Sequence, residues 1–329
     1  MQALIFDEPA GDTASSRVGE LDIPEPGAGE VIIRVTHAGV NFKDIMARRG
    51  DPGYVNAWPF VPGLEVAGFV HKLSADVNHL KAGQPVAAFT GEGGLAEFAV
   101  ADARLTVPIP DGLAFELAAA APGALLTAAL LTSDFARLRG GEAVLVHSAA
   151  GGVGHAAAQF ARLAGVASLL GTVGDSGRKQ AAERAGYDHV AVRGRDLAPA
   201  ILAATNDRGA DVILDPLGTA MLDLDLKVAA PGARIVLFGN ATGAPLGALP
   251  ALDRLMAGNI SLTGFSLAAL AANDPARVAA TLDQTLDRLA GGALTLRVTV
   301  LDGLAAAADA QQALAEGRGS AKYVAHVGS

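Results

Sequence analysis

The sequence predicts an α/β chain in which a doubly wound parallel sheet is inserted into a second, mainly β domain. Three observations carry this. From 143 to 265, short apolar strand patterns alternate with helical patterns, the rhythm of parallel strands joined by helical crossovers. Before about residue 120, many short strands are punctuated by Gly and Pro, as in an irregular antiparallel domain. After 265 the alternation stops, and the remaining pieces cannot close another sheet alone. They are therefore assigned back to the first domain, giving 1–120 and 266–329 as the split domain and 121–265 as the inserted one.

Taken in order, residues 3–6 (ALIF) and 31–35 (VIIRV) read as strands on either side of the turn-rich PEPGAGE. A short helix fits 41–48, and GDPGY at 50–54 is a loop. Strands follow at 64–73, 85–89, 95–100 and 105–107. Asp111 is placed to cap a helix whose apolar pattern starts at Phe115 and Leu117. Pro122 and Gly123 are expected to break it, with a second helix from Leu125 towards Leu138. In the alternating stretch, strands are expected at 143–147, 167–173, 189–192, 211–215, 233–238 and 260–265, with helices at 152–164, 176–185, 197–204, 219–229 and 249–257. Beyond it, Pro275 starts a helix with Val278, Leu282, Leu286 and Leu289 at helical spacing. A strand at 294–300, a helix at 304–316 and a strand at 322–327 complete the chain.

The stretch AVLVHSAAGGVGHAAAQFARLAG (143–165) organises the inserted domain. A short apolar run ends in small residues and gives way to a helix on which Val153, Ala157, Phe160, Ala161 and Ala164 share a face. Between them, Ala149-Ala150-Gly151-Gly152-Val153-Gly154 is the second half of a G-x-G-x-x-G fingerprint with Ala in the first position. Gly in the second position lets backbone approach a pyrophosphate, and Gly in the third lets the helix lie close on the strand. The helix N-terminus offers free N–H groups and a positive dipole end. A dinucleotide site at Ala150, Gly151, Gly152, Val153 and Gly154 follows.

Composition narrows the function classes. The chain is 51% hydrophobic and 18% charged, which is globular. A net charge of −9 argues against a nucleic-acid surface. With no cysteine, disulfides, thiolate nucleophiles and Cys-ligated metals are excluded. The N-terminus lacks a basic head and a long apolar segment, and the Ala-rich runs at 117–131 and 267–272 are too short or too weakly apolar for membrane spans. A cytoplasmic protein with no membrane partner is expected.

The motifs AGVNFKDIMARRG (38–50), VPGLEVAG (61–68), LRGGEAVLVHSAAGGVGHAAAQFARLAG (138–165), GADVILDPLG (209–218), RIVLFG (234–239), SLTGF (261–265) and GRGSAKYVAHV (317–327) run along nearly the full length. Their types and order resemble the medium-chain dehydrogenase/reductase superfamily, and within it the zinc-free quinone oxidoreductase branch. The resemblance implies a GroES-like catalytic domain, a Rossmann domain and hydride transfer from a nicotinamide cofactor across the interdomain cleft.

In the family, alcohol dehydrogenases hold zinc with Cys or His near the start of the catalytic domain and carry a four-Cys structural site. Here Asn41 stands in GVNFKD. His37, His71, His79, Glu65 and Asp44 lack the spacing of a strong zinc motif and read as surface or hydrogen-bonded residues, so no metal is expected. Without Lewis-acid polarisation, a quinone or a C=C bond conjugated to a carbonyl is a better hydride acceptor than a simple alcohol is a donor. The family places the residue matching Asn41 near nicotinamide and substrate, where its amide orients either or donates to a developing oxyanion. The alternative is an Asx turn or helix cap. Tyr54, offset from the family's Tyr, is either a proton donor or a cover for its loop. Thr127 resembles a residue beside the nicotinamide carboxamide, or is an ordinary helix threonine. Phe238, Gly239 and Phe265 match cofactor-side positions, or pack at strand ends. Lys322 lies near the cofactor pocket, or is an exposed edge-strand lysine.

The second strand of the alternating series ends near Val173, where an NAD enzyme would place an acid for the ribose diol. Gly174 leaves room there, and Ser176, Arg178 and Lys179 follow, with Arg193 after the next strand. These residues suit a ribose 2′-phosphate, through charge-assisted contacts worth roughly 1.5–3 kcal/mol each. Asp175 disagrees, unless its carboxylate turns outward. NADPH is therefore the expected cofactor.

The expected function is NADPH-dependent, zinc-independent reduction of a small-molecule quinone or enone. The alternatives are an enoyl-thioester (enoyl-CoA or enoyl-ACP) reductase and a non-catalytic NADPH-binding or sensor protein. Against the thioester, no convincing basic patch is present, and Asn240 stands where many modular enoylreductases carry Lys. The strand at 260–265 is expected at a sheet edge, pairing with its copy in a homodimer, with a tetramer as the alternative.

Overall fold

The computed structural model describes every residue except Asn56, Ser320, Ala321 and Ser329. Two units emerge, Met1–Leu126 with Ala268–Ser329, and Thr127–Leu267. The first opens with β1 (Gln2–Phe6), β2 (Ser16–Glu20), β3 (Glu30–Val40), α1 (Phe42–Arg48), β4 (Glu65–Leu73), β5 (Pro85–Phe89), β6 (Phe98–Asp102), β7 (Thr106–Pro108) and α2 (Phe115–Ala121). β1 and β2 form a two-stranded antiparallel ribbon. β2 escapes a pattern search because Val18 is its only large apolar residue, and Val18 is itself exposed.

β3 is the spine of this unit. It pairs antiparallel with β4 and β6, and with the last strand of the chain. Val31, Ile33 and Val35 on β3 meet Val66 and Val70 on β4, Leu95 and Ala99 in one buried cluster. Each such side chain contributes roughly 1.5–3 kcal/mol by leaving water. β3 runs on to Val40, well beyond the expected strand end at residue 35, because Ala38–Val40 continue pairing with the last strand.

The helical passage differs from expectation in three ways. Ala114, not Asp111, occupies the N-cap of α2. Pro122 and Gly123 do not break the helix, which passes through π-helical turns and α3 (Thr127–Leu130) to Phe135. Pro122 has helical backbone angles, and the Gly123 N–H leaves the helical ladder for the Glu65 carboxylate. Two ladder bonds are thus withdrawn together, and a π turn absorbs the mismatch. The division between units falls within this passage, at Leu126/Thr127 rather than 120/121, and the later one falls at Leu267/Ala268 rather than 265/266. At 21 residues the helix Phe115–Phe135 is long and apolar enough to cross a membrane by length and composition, but 78% of its most apolar window is buried within the fold.

The second unit alternates as predicted through β8 (Ala143–Val146), α4 (Gly152–Leu163), β9 (Ser168–Val173), α5 (Lys179–Arg184), β10 (His189–Val192), α6 (Leu197–Ala204), β11 (Ala210–Asp215), α7 (Leu222–Val228), β12 (Ala229–Leu237), α8 (Leu252–Gly258) and β13 (Ser261–Gly264). All six strands are parallel, in the order β10-β9-β8-β11-β12-β13. The order reverses direction on either side of β8, which opens a crevice at the strand C-termini between β8 and β11. β13 lies at the edge.

The chain then adds α9 (Leu267–Asn273), which the sequence pattern does not reveal, α10 (Pro275–Ala290), β14 (Val298–Asp302), α11 (Gly303–Ala315) and β15 (Lys322–His326). β14 lies C-terminal to the expected 294–300, since Leu294 is buried outside any strand and Val298–Asp302 carry the parallel pairing with β15. β15 sits between β14 and β3 in the seven-stranded sheet.

Candidate functional site

In the Thr127–Leu267 unit, the loop after β8 turns at Ser148, whose φ of 57° is left-handed. Ala149 N–H donates to Thr172 O at 2.9 Å, and Gly151 N–H to Ser148 O at 2.8 Å. Gly151 caps α4 without a side chain, so the first-turn N–H groups face outward with the helix dipole behind them. A Cβ on Gly154 would lie 2.6 Å from Ala149 O and 2.7 Å from Ser148 O. That is the close helix–loop approach the fingerprint requires.

At the end of β9, a Cβ on Gly174 would come within 2.8 Å of Arg193 Nη2. Arg193 N–H donates to Val173 O at 2.9 Å, while its Nη1 is buried with no acceptor among the described residues. Burial, then the Arg178 charge, pulls the Arg193 guanidinium below its ordinary value. Arg178 Nη2 reaches Ala150 O at 3.3 Å, tying this cationic corner to the fingerprint loop. Asp175 Oδ1 accepts from Gly177 N–H at 2.9 Å and caps the short turn Ser176–Arg178. Ser176 is exposed and Lys179 half-buried at the start of α5. Two cations held together with an orphaned donor make a corner suited to a doubly charged anion.

Phe238 N–H bonds Asp215 O at 2.9 Å, and a Cβ on Gly239 would meet Pro216 O at 2.8 Å. The loops after β11 and β12 are therefore pressed together. Phe265 is buried edge-on against Phe135, with ring centroids 4.8 Å apart. Thr127 is buried at the start of α3. The loops, glycines and arginines fit a dinucleotide: first-turn N–H groups for a pyrophosphate, and a cationic corner at the end of the second strand.

The other unit holds a buried charged cluster around Asn41. Asn41 is the N-cap of α1, and its N–H donates to Asp44 Oδ2 at 2.7 Å. Asp44 Oδ1 accepts from Gly63 N–H at 3.0 Å. Burial pushes the Asp44 carboxyl up to about 6, against the pull of those two N–H donors. Asn41 Nδ2 donates to Glu65 Oε1 at 2.7 Å, with Gly39 O a longer 3.4 Å away, and Asn41 Oδ1 accepts from Lys322 Nζ at 2.5 Å. Lys322 also donates to Val40 O at 2.9 Å and pairs with Glu65. Glu65 Oε2 in turn accepts from Gly123 N–H. Any side chain at 123 would collide with Asn41 Oδ1 and the Glu65 carboxylate, which explains a glycine inside this helix.

Lys322 thus departs from the exposed-edge reading. It is buried between two strands, and its three N–H donors are engaged by Val40 O, Asn41 Oδ1 and Glu65. Glu65, which the sequence offered only as a surface or hydrogen-bonded residue, is fully buried and organises the cluster. Tyr54 does not join the cluster. It is half-buried in the turn after α1, and burial raises its phenol above the ordinary value. Among the described residues its hydroxyl makes no hydrogen bond to Asn41, Asp44, Glu65 or Lys322. His37 lies tilted against His326 with ring centroids 5.0 Å apart, His71 is edge-on to Phe98 at 4.9 Å, and His79 meets Ala103 O at 2.9 Å. No three His, Asp or Glu side chains among the described residues are grouped to hold a metal ion. Asn56 of the 51–60 loop, and Ser320 and Ala321 of the 317–327 motif, lie outside the described residues.

Comparison with known proteins agrees with both units. A family model described as zinc-binding dehydrogenase matches residues 152–285, and one described as alcohol dehydrogenase GroES-like domain matches 27–111. Rat quinone oxidoreductase is 34% identical over 241 residues, 73% of this chain and 73% of that protein. A phenolphthiocerol/phthiocerol polyketide synthase protein of Mycobacterium tuberculosis is 34% identical over 98% of this chain, which spans only 14% of that protein. The crystal structure of Escherichia coli quinone oxidoreductase complexed with NADPH superposes with a TM-score of 0.89 at 26% identity, covering 99% of this chain and 100% of that one. With its GroES-like and Rossmann-type units, the chain belongs to the medium-chain dehydrogenase/reductase superfamily and, within it, to the zinc-free quinone oxidoreductase type.

Proposed function

We propose that this oxidoreductase reduces quinones or carbonyl-conjugated C=C bonds with NADPH, by direct hydride transfer and without zinc. The observation that carries the reading is the doubly held Asn41 carboxamide. Lys322 fixes its oxygen and Glu65 its nitrogen, so the amide cannot flip or swing. The ammonium on Oδ1 draws electron density from the amide and strengthens its remaining N–H, which has only the long contact to Gly39 O. That N–H is available to a substrate oxygen as negative charge develops on it.

NADPH, when bound, supplies the hydride. The first-turn N–H groups of α4 would hold the pyrophosphate, and Arg193, Arg178, Lys179 and Ser176 would take the ribose 2′-phosphate. Asp175 leaves the phosphate room because its carboxylate is already engaged by Gly177 N–H. Asn41 orients the acceptor. The β13 edge, with exposed Leu246, Leu249, Leu252 and Met256 in the preceding segment, suits pairing with a second copy of the chain. Light scattering of a fully active monomer would remove that part of the reading.

The similarity to a polyketide synthase over 98% of this chain favours a second reading, enoyl-thioester reduction. Following NADPH oxidation with benzoquinones, naphthoquinones, enones and enoyl thioesters separates the two. Turnover of at least one quinone or enone, unaffected by added zinc, is expected. Enoyl thioesters as the sole good acceptors would favour the second reading, and simple alcohols as the best substrates would overturn both.

A further inference from the structure

Beneath the dinucleotide loops lies a buried network that the proposed reaction does not use. His147 follows β8, Thr172 lies in β9, Asp215 ends β11 and Asp225 lies in α7; all four are fully or almost fully buried. His147 faces Thr172 Oγ1 through Nδ1 and Asp225 Oδ1 through Nε2, each at 2.8 Å. Asp215 Oδ1 accepts from Leu217 N–H at 2.6 Å, and Asp225 is the neighbouring carboxylate whose charge bears on it most. Asp215 Oδ2 and Asp225 Oδ2 have no donor among the described residues. Two neighbouring buried carboxyls are disfavoured when both are charged, and one proton held between them would give both orphaned oxygens a partner.

Each anchor of the network ends in the crevice. The chain runs from His147 directly into Ser148–Gly154. Thr172 O holds Ala149 N–H at 2.9 Å, and Gly174 follows two residues later. Asp215 fixes the loop through Leu217, and Pro216 O in turn accepts from Ala241 N–H at 2.9 Å. The charged groups facing Asp215 are Asp225 from α7, His147 from the end of β8 and Arg193 from the loop after β10.

We propose that His147, Asp215 and Asp225 are positioning residues for the dinucleotide crevice, joined by one proton shared between the two carboxyls, and that losing this proton in alkaline solution loosens the crevice and weakens cofactor binding. The cofactor half rests on the dinucleotide reading; the shared proton does not. Burial and the neighbouring Asp225 charge raise the Asp215 carboxyl to about 7. A carboxyl raised in the folded state holds a proton that the unfolded chain has already released. Its stabilisation is therefore full below about pH 4 and is lost as pH rises through about 7.

The test compares the full-length protein with Asp215→Asn and Asp225→Asn between about pH 5.5 and 9. Melting temperature is read without cofactor, and Kd by fluorescence titration for both NADPH and NADH. NADH lacks the 2′-phosphate, whose own ionisation would otherwise tilt the profile. Wild type should bind NADH about three- to tenfold more weakly at the alkaline end and melt lower there, and an Asn at either position, carrying N–H where the proton sat, should flatten both profiles. Equal slopes in wild type and in every variant that folds would overturn the proposal. If neither nucleotide binds wild type, the dinucleotide reading and the positioning role fall together, and the melting profiles alone still decide the shared proton.

Discussion

In the unit built from both chain ends, a buried ammonium meets a buried carboxylate; in the dinucleotide unit, two buried carboxyls meet each other while a nearby arginine lacks an acceptor. Lys322 and Glu65 satisfy one another and clamp Asn41 between them. Arg193 Nη1 has no acceptor among the described residues, and Arg178 lies close enough to depress it electrostatically. The first cluster is complete without a ligand, so it confers rigidity. The second keeps a buried guanidinium N–H of Arg193 without an acceptor among the described residues, a donor that an anion can use. Charge balanced internally positions a group, and charge left over recruits one.

The comparison breaks most visibly if Lys322 is removed. Lys322→Met leaves the Glu65 carboxylate group fully buried and without its cation, which costs about 3–5 kcal/mol. Urea denaturation should show that loss at neutral pH, and adding Glu65→Gln should recover much of it by removing the stranded charge. The double variant should fold, bind NADPH as wild type does and turn over slowly, because Asn41 is no longer held. A Lys322→Met protein with wild-type stability would mean that the clamp is not a balanced pair.

How legible this was in the sequence follows the same divide. The parallel sheet was readable because each strand is a short apolar run between helical patterns, and local order sets local structure there. The cradle at 149–154 is likewise local, since its glycines, loop and helix are consecutive. The Asn41 clamp is assembled from residues 41, 65, 123 and 322, which β3–β4 and β3–β15 pairing and the contact of the Phe115–Phe135 helix with Glu65 bring together. Nothing in VPGLEVAG marks Glu65 as an organiser, and Lys322 in GSAK reads either as a cofactor-side residue or as an exposed edge lysine, the second of which β14 excludes by lying outside it. Pro122-Gly123 misled for the opposite reason. Both are breakers by local chemistry, yet a tertiary acceptor, Glu65, takes the freed N–H.

A smaller effect sharpens the rim. In the Arg178→Ala, Lys179→Ala double variant the 2′-phosphate loses two cationic contacts, both partly solvated. About 2 kcal/mol for the pair, or roughly thirtyfold in kcat/KM, is the expected loss with NADPH. It should fall mainly on the NADPH KM, with NADH nearly unaffected, so that the wild-type preference for NADPH collapses. A wild type using both cofactors equally, or a double variant with unchanged preference, would remove the phosphate assignment from this corner.

The smallest expected effect concerns Tyr54. Its phenol is raised by burial and by the nearby Asp51 charge, so it stays protonated through the neutral range and has a proton to give. Geometry argues against its using that proton, because the hydroxyl makes no hydrogen bond to the Asn41 cluster and the chain there is a surface turn tied by Tyr54 N–H to Asp51 O at 3.2 Å. After hydride transfer the substrate anion is then protonated by water, and Tyr54→Phe should lower kcat less than about threefold, under roughly 0.7 kcal/mol in the barrier. A positioned general acid contributes about 10²–10⁴-fold. A fall of that size in Tyr54→Phe, with loss of an alkaline limb in the pH–rate profile, would make Tyr54 the proton donor and bring it into the site with Asn41. A small fall with an unchanged profile would leave Tyr54 outside the proposed site and Asn41 as its candidate in this unit.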